Sequence, residues 1–202
     1  ELIYQNIGLK ANIISDCLRF KSHHPVKEII YPFKVSWFGM YTNHDTLKYG
    51  IEEILEYDFN VNLKIITNKI SNLQEKLNYL NLKNINLELI EWNEKMDQEI
   101  IKTDIVIIPY INDHHRIVKS YNRILDSINL GRFTIISDLD HLRKFEDYCF
   151  IGNIGQGLEW VKKNNNLAIE KVKKGLKFVR NNYDIKTISK QWEKLIDQTL
   201  RQ

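Results

Sequence analysis

Short apolar runs alternate with helical periodicities along most of the chain. Six runs rich in β-branched and aromatic residues predict strands: Val35–Phe38, Val61–Thr67, Ile85–Ile90, Asp104–Pro109, Phe133–Ser137 and Tyr148–Ile151. The fourth and fifth runs hardly alternate with polar residues, which is typical of parallel strands that are buried on both faces. The pattern therefore predicts an α/β fold with a doubly wound, Rossmann-like parallel sheet.

Helical periods fill the intervals between these strands. Apolar residues three or four positions apart predict three internal helices: Leu47, Ile51, Ile54 and Leu55; Leu73, Leu77 and Leu80; Ile124, Leu125 and Ile128. The third period leads to Gly131, and glycine is favoured just after a helix end, where φ is positive. Beyond Gly157 the periodicity predicts C-terminal helices to the end of the chain.

The length of 202 residues, with 43% apolar and 27% charged residues, suits one large globular domain. Pro25 and Pro32 interrupt the pattern near the N-terminus, so we divide the chain at residue 30. Residues 1–30 are expected to be the remnant of a preceding domain, an added edge element or an N-terminal extension, and residues 31–202 the main domain. Because the chain opens with Glu1 and not Met, we expect it to be a piece of a longer protein.

Net charge and cysteine content limit which classes of binding partner and which cellular compartment are expected. A formal net charge of +3 is too small to indicate nucleic-acid binding. Cys17 and Cys149 lack metal-ligand spacing and are interpreted as reduced, which predicts the cytoplasm. No apolar run approaches the roughly 18 residues of a transmembrane segment.

Ligands of such a sheet bind beyond the carboxyl ends of the strands. The first strand is followed by Gly39, which allows a close approach of the backbone, and then by Tyr41, Thr42 and Asn43 before a helix. The alternative is a plain strand–helix turn in which Thr42 or Asn43 caps the helix. No glycine-rich dinucleotide fingerprint is present.

Two further strand ends carry candidate ligand contacts. The third run leads to Trp92 and Asn93, where the indole could stack on a base or simply pack in the core. The fourth run ends at Pro109 and Tyr110.

The most informative stretch is the start of the helix after the fourth strand. Ser120 could cap this helix, whose first turn would carry Asn122 and Arg123, with Lys119 just before it. Two cations conflict with the positive helix end unless an anion lies there, so the stretch predicts a phosphate or diphosphate site. The alternative is a solvated helix start. Asp126 could accept hydrogen bonds from ribose hydroxyls or pair with Arg123.

Other clusters carry weaker signals. Adjacent His114 and His115 do not share a helix face, so a zinc site is not indicated, and we expect no metal. Gly152, Gly155 and Gly157 follow the last strand and are interpreted as a loose loop beside the pocket. No arrangement typical of nucleophilic catalysis is recognisable, and no catalytic residue is assigned.

The stretch from Lys119 to Ser137 resembles the signature helix and strand of GT-B glycosyltransferases, in which K-S-x-N-R precedes an acidic residue, a glycine and an apolar strand. Thr103–Tyr110 is similar to the preceding A-D-I-…-P strand of that family. Val35–Gly39 looks like its opening strand, and Ile188–Trp192 resembles its final helix. The resemblance extends from about residue 34 to the end of the chain.

This resemblance implies the C-terminal, donor-binding half of a GT-B enzyme. Lys119 and Arg123 would hold the donor diphosphate, Asp126 would bind the ribose, Gly39–Asn43 would face the phosphates, and Trp92–Asn93 would flank the base. The candidate donor-binding residues are Gly39, Tyr41, Thr42, Asn43, Trp92, Asn93, Pro109, Tyr110, Lys119, Ser120, Asn122, Arg123 and Asp126.

The function implied is that of a hexosyltransferase-like glycosyltransferase of carbohydrate biosynthesis. It would take a UDP- or GDP-linked sugar, need no cofactor, and act on a glycan or lipid-linked glycan, in the cytoplasm or peripherally at the inner membrane face. In GT-B enzymes the acceptor site lies in the N-terminal domain, so a preceding acceptor domain is expected. The alternative is a non-catalytic α/β nucleotide-binding or interaction module.

The sequence departs from one large branch of the family at two positions. Val118 stands where that branch has a second glutamate, eight residues before Asp126, and Met40 stands where it has an arginine. These departures leave the sugar and the stereochemistry of transfer open.

Overall fold

The computed structural model of the chain describes residues 12–111 and 120–200. One sheet contains six strands: β1 (Phe33–Phe38), β2 (Val61–Thr67), β3 (Ile85–Glu91), β4 (Ile105–Ile108), β5 (Phe133–Ile136) and β6 (Phe150–Ile151). The described residues also form seven α-helices: α1 (His44–Leu55), α2 (Ile70–Leu77), α3 (Met96–Ile100), α4 (Asn122–Asn129), α5 (Ile154–Lys163), α6 (Asn165–Tyr183) and α7 (Ile185–Leu200). Two 3₁₀ segments span Tyr41–Asn43 and Asp140–Phe145.

The sheet has the strand order β3-β2-β1-β4-β5-β6, and every neighbouring pair is parallel. Parallel neighbours need crossover connections, which the helices supply on both faces. The predicted doubly wound parallel sheet is therefore confirmed, including all six of the predicted strands.

Alternate residues of the central strands pack into two separate cores. Ile105 and Ile107 of β4 face the core beneath α1, α2 and α5, whereas Val106 and Ile108 face the core beneath α3 and α4. All four side chains are buried, as the uninterrupted apolar run predicts.

The glycines after β6 have a different role from the one their clustering suggests. Gly155 and Gly157 lie in α5 and not in a loose loop, and both are buried. A Cβ on Gly157 would lie 2.5 Å from Cγ2 of Ile135. Glycine is needed there because α5 packs directly on β5, so the prediction of a loop was wrong at these two positions.

The N-terminal segment adds no strand to the sheet within its described part, residues 12–30. It runs along α4, where the N–H of His23 donates to the carbonyl of Asn129 at 3.1 Å and the N–H of Val26 donates to that of Gly131 at 2.9 Å. Gly131 follows the end of α4 with a φ of 69°, as predicted. We refer to residues 15–26 as the strap.

Candidate functional site

The strand order places a topological switch point between β1 and β4. From these two adjacent strands the chain leaves toward opposite edges of the sheet, which opens a crevice beyond their carboxyl ends. Gly39 follows β1 at this crevice, and Pro109 and Tyr110 follow β4. The predicted loops after β1 and β4 therefore border the same crevice.

The loop after β1 is held by residues that directly follow β2. The N–H of Tyr41 donates to Oδ1 of Asn68 at 2.9 Å, and Nζ of Lys69 lies 3.6 Å from the centre of the Tyr41 ring. Thr42 lies in the 3₁₀ segment, and Asn43 is the N-cap residue of α1 without a side-chain capping bond.

Arg123 reaches from α4 across the switch point. Its Nη1 donates to the carbonyl of Phe38 at 3.4 Å, and its guanidinium carbon lies 5.9 Å from the Trp37 ring and 5.4 Å from the Tyr110 ring. A Cβ at Gly39 would lie 3.3 Å from this Nη1, so glycine leaves room for the guanidinium. Among the described residues, no carboxylate forms an ion pair with Arg123.

The start of α4 differs from the prediction. Its N-cap residue is Tyr121 and not Ser120, and no side chain caps the helix. The ring of Tyr121 packs edge-on against Phe145 and Tyr183, with centroid distances of 5.4 and 6.1 Å. Aromatic packing thus fixes the helix start, which the capping preference of Ser120 alone did not reveal. Asn122 and Arg123 do occupy the first turn, as predicted.

Asp126 is paired with the strap and not with Arg123. Nε of Arg19 donates to its Oδ2 at 2.7 Å, Nη2 of Arg19 donates to the same oxygen, and the backbone N–H of Arg19 lies 3.4 Å from Oδ1. Burial raises the pKa of Asp126 above its ordinary value, and the hydrogen bonds and charge of Arg19 oppose that rise. Sequence spacing missed Arg19 because it lies 107 positions away along the chain.

Trp92 and Asn93 lie beyond β3, the edge strand on the β1 side of the switch point. Trp92 is 38% exposed, so the alternative of core packing is excluded. Oδ1 of Asn93 accepts the N–H of Lys95 at 2.9 Å, which ties this side chain to its own turn. Because β2 lies between β1 and β3, these residues stand roughly 10 Å along the sheet from the crevice.

Two buried residues at the crevice carry no assignment from the sequence. His44, the first residue of α1, places Nε2 2.9 Å from Oγ1 of Thr67, and burial lowers its pKa, assisted by the charge of Lys76. Nε1 of Trp37 is buried and has no hydrogen-bond partner within the described residues. A histidine at the start of an amphipathic helix gave no sequence signal, because such positions are usually exposed.

Some predictions fall outside the described residues. Lys119 and the His114–His115 pair lie in the segment 112–119, so the predicted convergence of Lys119 with Arg123 stays a prediction. Within residues 12–111 and 120–200, no group of three or more His, Cys, Asp or Glu side chains is arranged to hold a metal ion. No helix in these ranges has the length and apolarity needed to cross a membrane.

The chain is similar to known proteins in structure and not in sequence. No protein-family model and no curated protein sequence matches the chain. HepE of Anabaena, solved with UDP and glucose, superposes with a TM-score of 0.68 at 10% identity over 82% of this chain and 48% of HepE. A TarM variant of S. aureus, solved with fondaparinux, α-GlcNAc-glycerol and UDP, gives 0.70 at 15% identity over 96% of this chain and 41% of TarM.

WaaG, a glycosyltransferase involved in lipopolysaccharide biosynthesis, gives a TM-score of 0.59 at 10% identity over 89% of this chain and 55% of WaaG. The chain thus spans about half the length, or less, of these three proteins. The fold is that of the C-terminal domain of GT-B glycosyltransferases.

Proposed function

We propose that this chain is the donor-binding half of a glycosyltransferase that transfers a sugar from a nucleotide sugar to an acceptor glycan or lipid-linked glycan. The fold supports this proposal, because it is shared with enzymes solved in complex with UDP. The donor is a UDP- or GDP-linked hexose, and the residues in hand assign no catalytic group. The compartment proposed is the cytoplasm.

The position of Arg123 carries the proposal. Its guanidinium lies at the switch point, beside the backbone of β1, and within the described residues it has no carboxylate partner. The rings of Trp37 and Tyr110 flank it and restrict its motion. A cation held at the mouth of a doubly wound sheet, near a helix N-terminus, is suited to a phosphate or diphosphate.

The remaining candidate residues have roles that follow from their places around the crevice. Lys119 would add a second cation to the diphosphate, and the backbone of the loop Gly39–Asn43 would face it. Asp126 would receive the ribose hydroxyls, and Trp92 would stack on the base. In this scheme the chain neutralises the departing diphosphate with side chains and backbone N–H groups, and the acceptor is supplied from a preceding domain.

Calorimetry with UDP and GDP tests the proposal, with ADP and CMP as further bases. Charge-assisted hydrogen bonds are worth roughly 1.5–3 kcal/mol each, so Arg123→Ala should weaken nucleoside diphosphate binding by about one to two decades. Binding of the bare nucleoside should change much less, because it lacks the diphosphate.

Arg143→Ala is the matched control. Arg143 is an exposed arginine of the 3₁₀ segment Asp140–Phe145, and its Nη2 pairs with Asp138. It should leave the affinity unchanged. If Arg123→Ala leaves diphosphate affinity intact, the anion site is not at the switch point. If nucleoside diphosphates do not bind the wild-type chain at all, the alternative of an interaction module gains support.

A further inference from the structure

The strap docks on the first two turns of α4 through three polar pairs. Oγ of Ser15 lies 2.6 Å from the hydroxyl oxygen of Tyr121, and Nδ2 of Asn122 donates to Oδ2 of Asp16 at 2.5 Å. The third pair joins Arg19 and Asp126 at 2.7 Å. Asn122 and Asp126 are both candidate donor-binding residues, so the strap occupies side chains that the proposed function needs.

Both carboxylate oxygens of Asp126 face N–H groups of Arg19 in this arrangement. Its Oδ2 accepts two N–H groups of the Arg19 guanidinium and its Oδ1 faces the backbone N–H of Arg19, which leaves the Asp126 side chain 2% exposed. A ribose diol binds a carboxylate by donating hydroxyl hydrogens to an open oxygen edge. The guanidinium of Arg19 covers that edge, and therefore ribose cannot reach Asp126 while the pair persists.

Arg19 can turn into water when the ribose hydroxyls replace it on the buried Asp126 carboxylate. Its side chain is 44% exposed, so the guanidinium can turn into water and not into an apolar core. The other end of the strap has its own anchors, since Nη2 of Arg132 donates to the carbonyl of His24 at 2.8 Å and Nη2 of Arg180 donates to that of His23 at 3.0 Å. Release can therefore be confined to residues 15–19.

We propose that Arg19 and the donor ribose compete for Asp126, so that the strap is a latch on the nucleoside half of the donor site. The inference rests on the proposed function, because it takes Asp126 as the ribose ligand. The exchange is non-covalent: the ribose hydroxyls replace the Arg19 N–H groups on the carboxylate. Nucleoside affinity of the chain is then set by how firmly residues 15–19 are docked.

Calorimetry on the 202-residue chain tests the latch with UDP, its 2′,3′-dideoxy analogue and inorganic pyrophosphate. Arg19→Ala and Arg19→Gln should each bind UDP about tenfold more tightly than wild type, the equivalent of one charge-assisted hydrogen bond. Neither the dideoxy analogue nor pyrophosphate should gain affinity, because neither presents hydroxyls to Asp126. Arg180→Ala loosens the strap at its anchored end without touching Asp126, so it should leave all three affinities unchanged.

Hydrogen exchange separates the latch from the proposed function. Arg19→Ala should speed exchange of the Leu18 N–H, which donates to the carbonyl of Tyr183, and leave that of Val26 unchanged. If wild type binds pyrophosphate and UDP, two results overturn the latch alone. One is unchanged exchange of the Leu18 N–H in Arg19→Ala. The other is UDP binding that is unchanged or weaker in both Arg19 variants. Failure of every variant to bind UDP overturns the proposed function together with the latch.

Discussion

Glu53 is a carboxylate buried between α1 and α5, and its Oε2 accepts the N–H of Ile154 at 2.7 Å. Burial raises the pKa of Glu53, although the hydrogen bonds from Ile154 and Tyr49 oppose the rise. The folded state therefore binds this proton more tightly than the unfolded state does. The stability that the protonated carboxyl contributes is present below the unfolded pKa and is lost as pH rises through the folded pKa.

Glu53→Gln should remove this pH dependence. The glutamine is neutral and its Oε1 can still accept the N–H of Ile154, so the free energy of unfolding of the variant relative to wild type should rise between pH 4.5 and pH 7.5. Urea denaturation at the two pH values measures it. Glu170→Gln, on the exposed face of α6, is the control and should show little change. A relative loss at pH 7.5 would mean that the positive N-terminus of α5 outweighs burial.

Arg123 and Asp126 show what could be predicted at this scale. The helix that carries both residues follows from local patterns, because a helix period is encoded within a few residues. The partner of Asp126 could not be predicted, because Arg19 approaches it through the folding of a distant segment without secondary structure. The same applies to His44, whose burial depends on the packing of α1 against β2.

At the scale of elements, the junction of α4 with the strap depends on Gly131. This residue has a φ of 69°, and a Cβ there would lie 2.7 Å from Cα of Pro25 and nearer still to the carbonyl oxygen of His24. Gly131→Ala should lower the free energy of unfolding by at least about 2 kcal/mol, because the left-handed conformation and the backbone clash both oppose a side chain. Chemical denaturation measures the loss.

Gly175→Ala in α6 is the matched control for this prediction. Its Cβ would lie 3.0 Å from Cγ2 of Ile128 and 3.0 Å from Cβ of Tyr148, contacts that a shift of a few tenths of an ångström relieves, and helix propensity favours alanine by about 1 kcal/mol. Its free energy of unfolding should therefore stay within about 1 kcal/mol of wild type. Equal losses in the two variants would argue against a special role of the α4–strap junction.

Elements with a clear period were predictable, and short or irregular ones were not. Apart from α3, the alternation of strands and helices from β1 to α6 reflects apolar spacing within the elements themselves. Helix α3 (Met96–Ile100) was missed because five residues are too few to show a helical period. The path of the strap was missed because its backbone bonds to α4 need no sequence pattern.

At the scale of the whole molecule, the fold matches part of several longer glycosyltransferases. The chain covers 48% of HepE and 41% of TarM, so the resemblance leaves more than half of each neighbour unmatched. The donor-binding half proposed above would not by itself hold an acceptor against the donor sugar, and such positioning supplies a large part of the rate of a transferase. Binding and turnover should therefore separate in this chain.

We expect the 202-residue chain to bind UDP or GDP and yet to release sugar from UDP-glucose and UDP-N-acetylglucosamine no faster than buffer does. The physical reason is that Arg123, in the role proposed for it, would hold the diphosphate alike in the bound donor and in the departing group, and such uniform binding does not accelerate the transfer step. Donor binding by calorimetry and sugar release by chromatography, measured on one preparation, check the two halves of the prediction. Sugar release above background that Arg123→Ala abolishes would contradict it, because the catalytic groups would then lie within this chain.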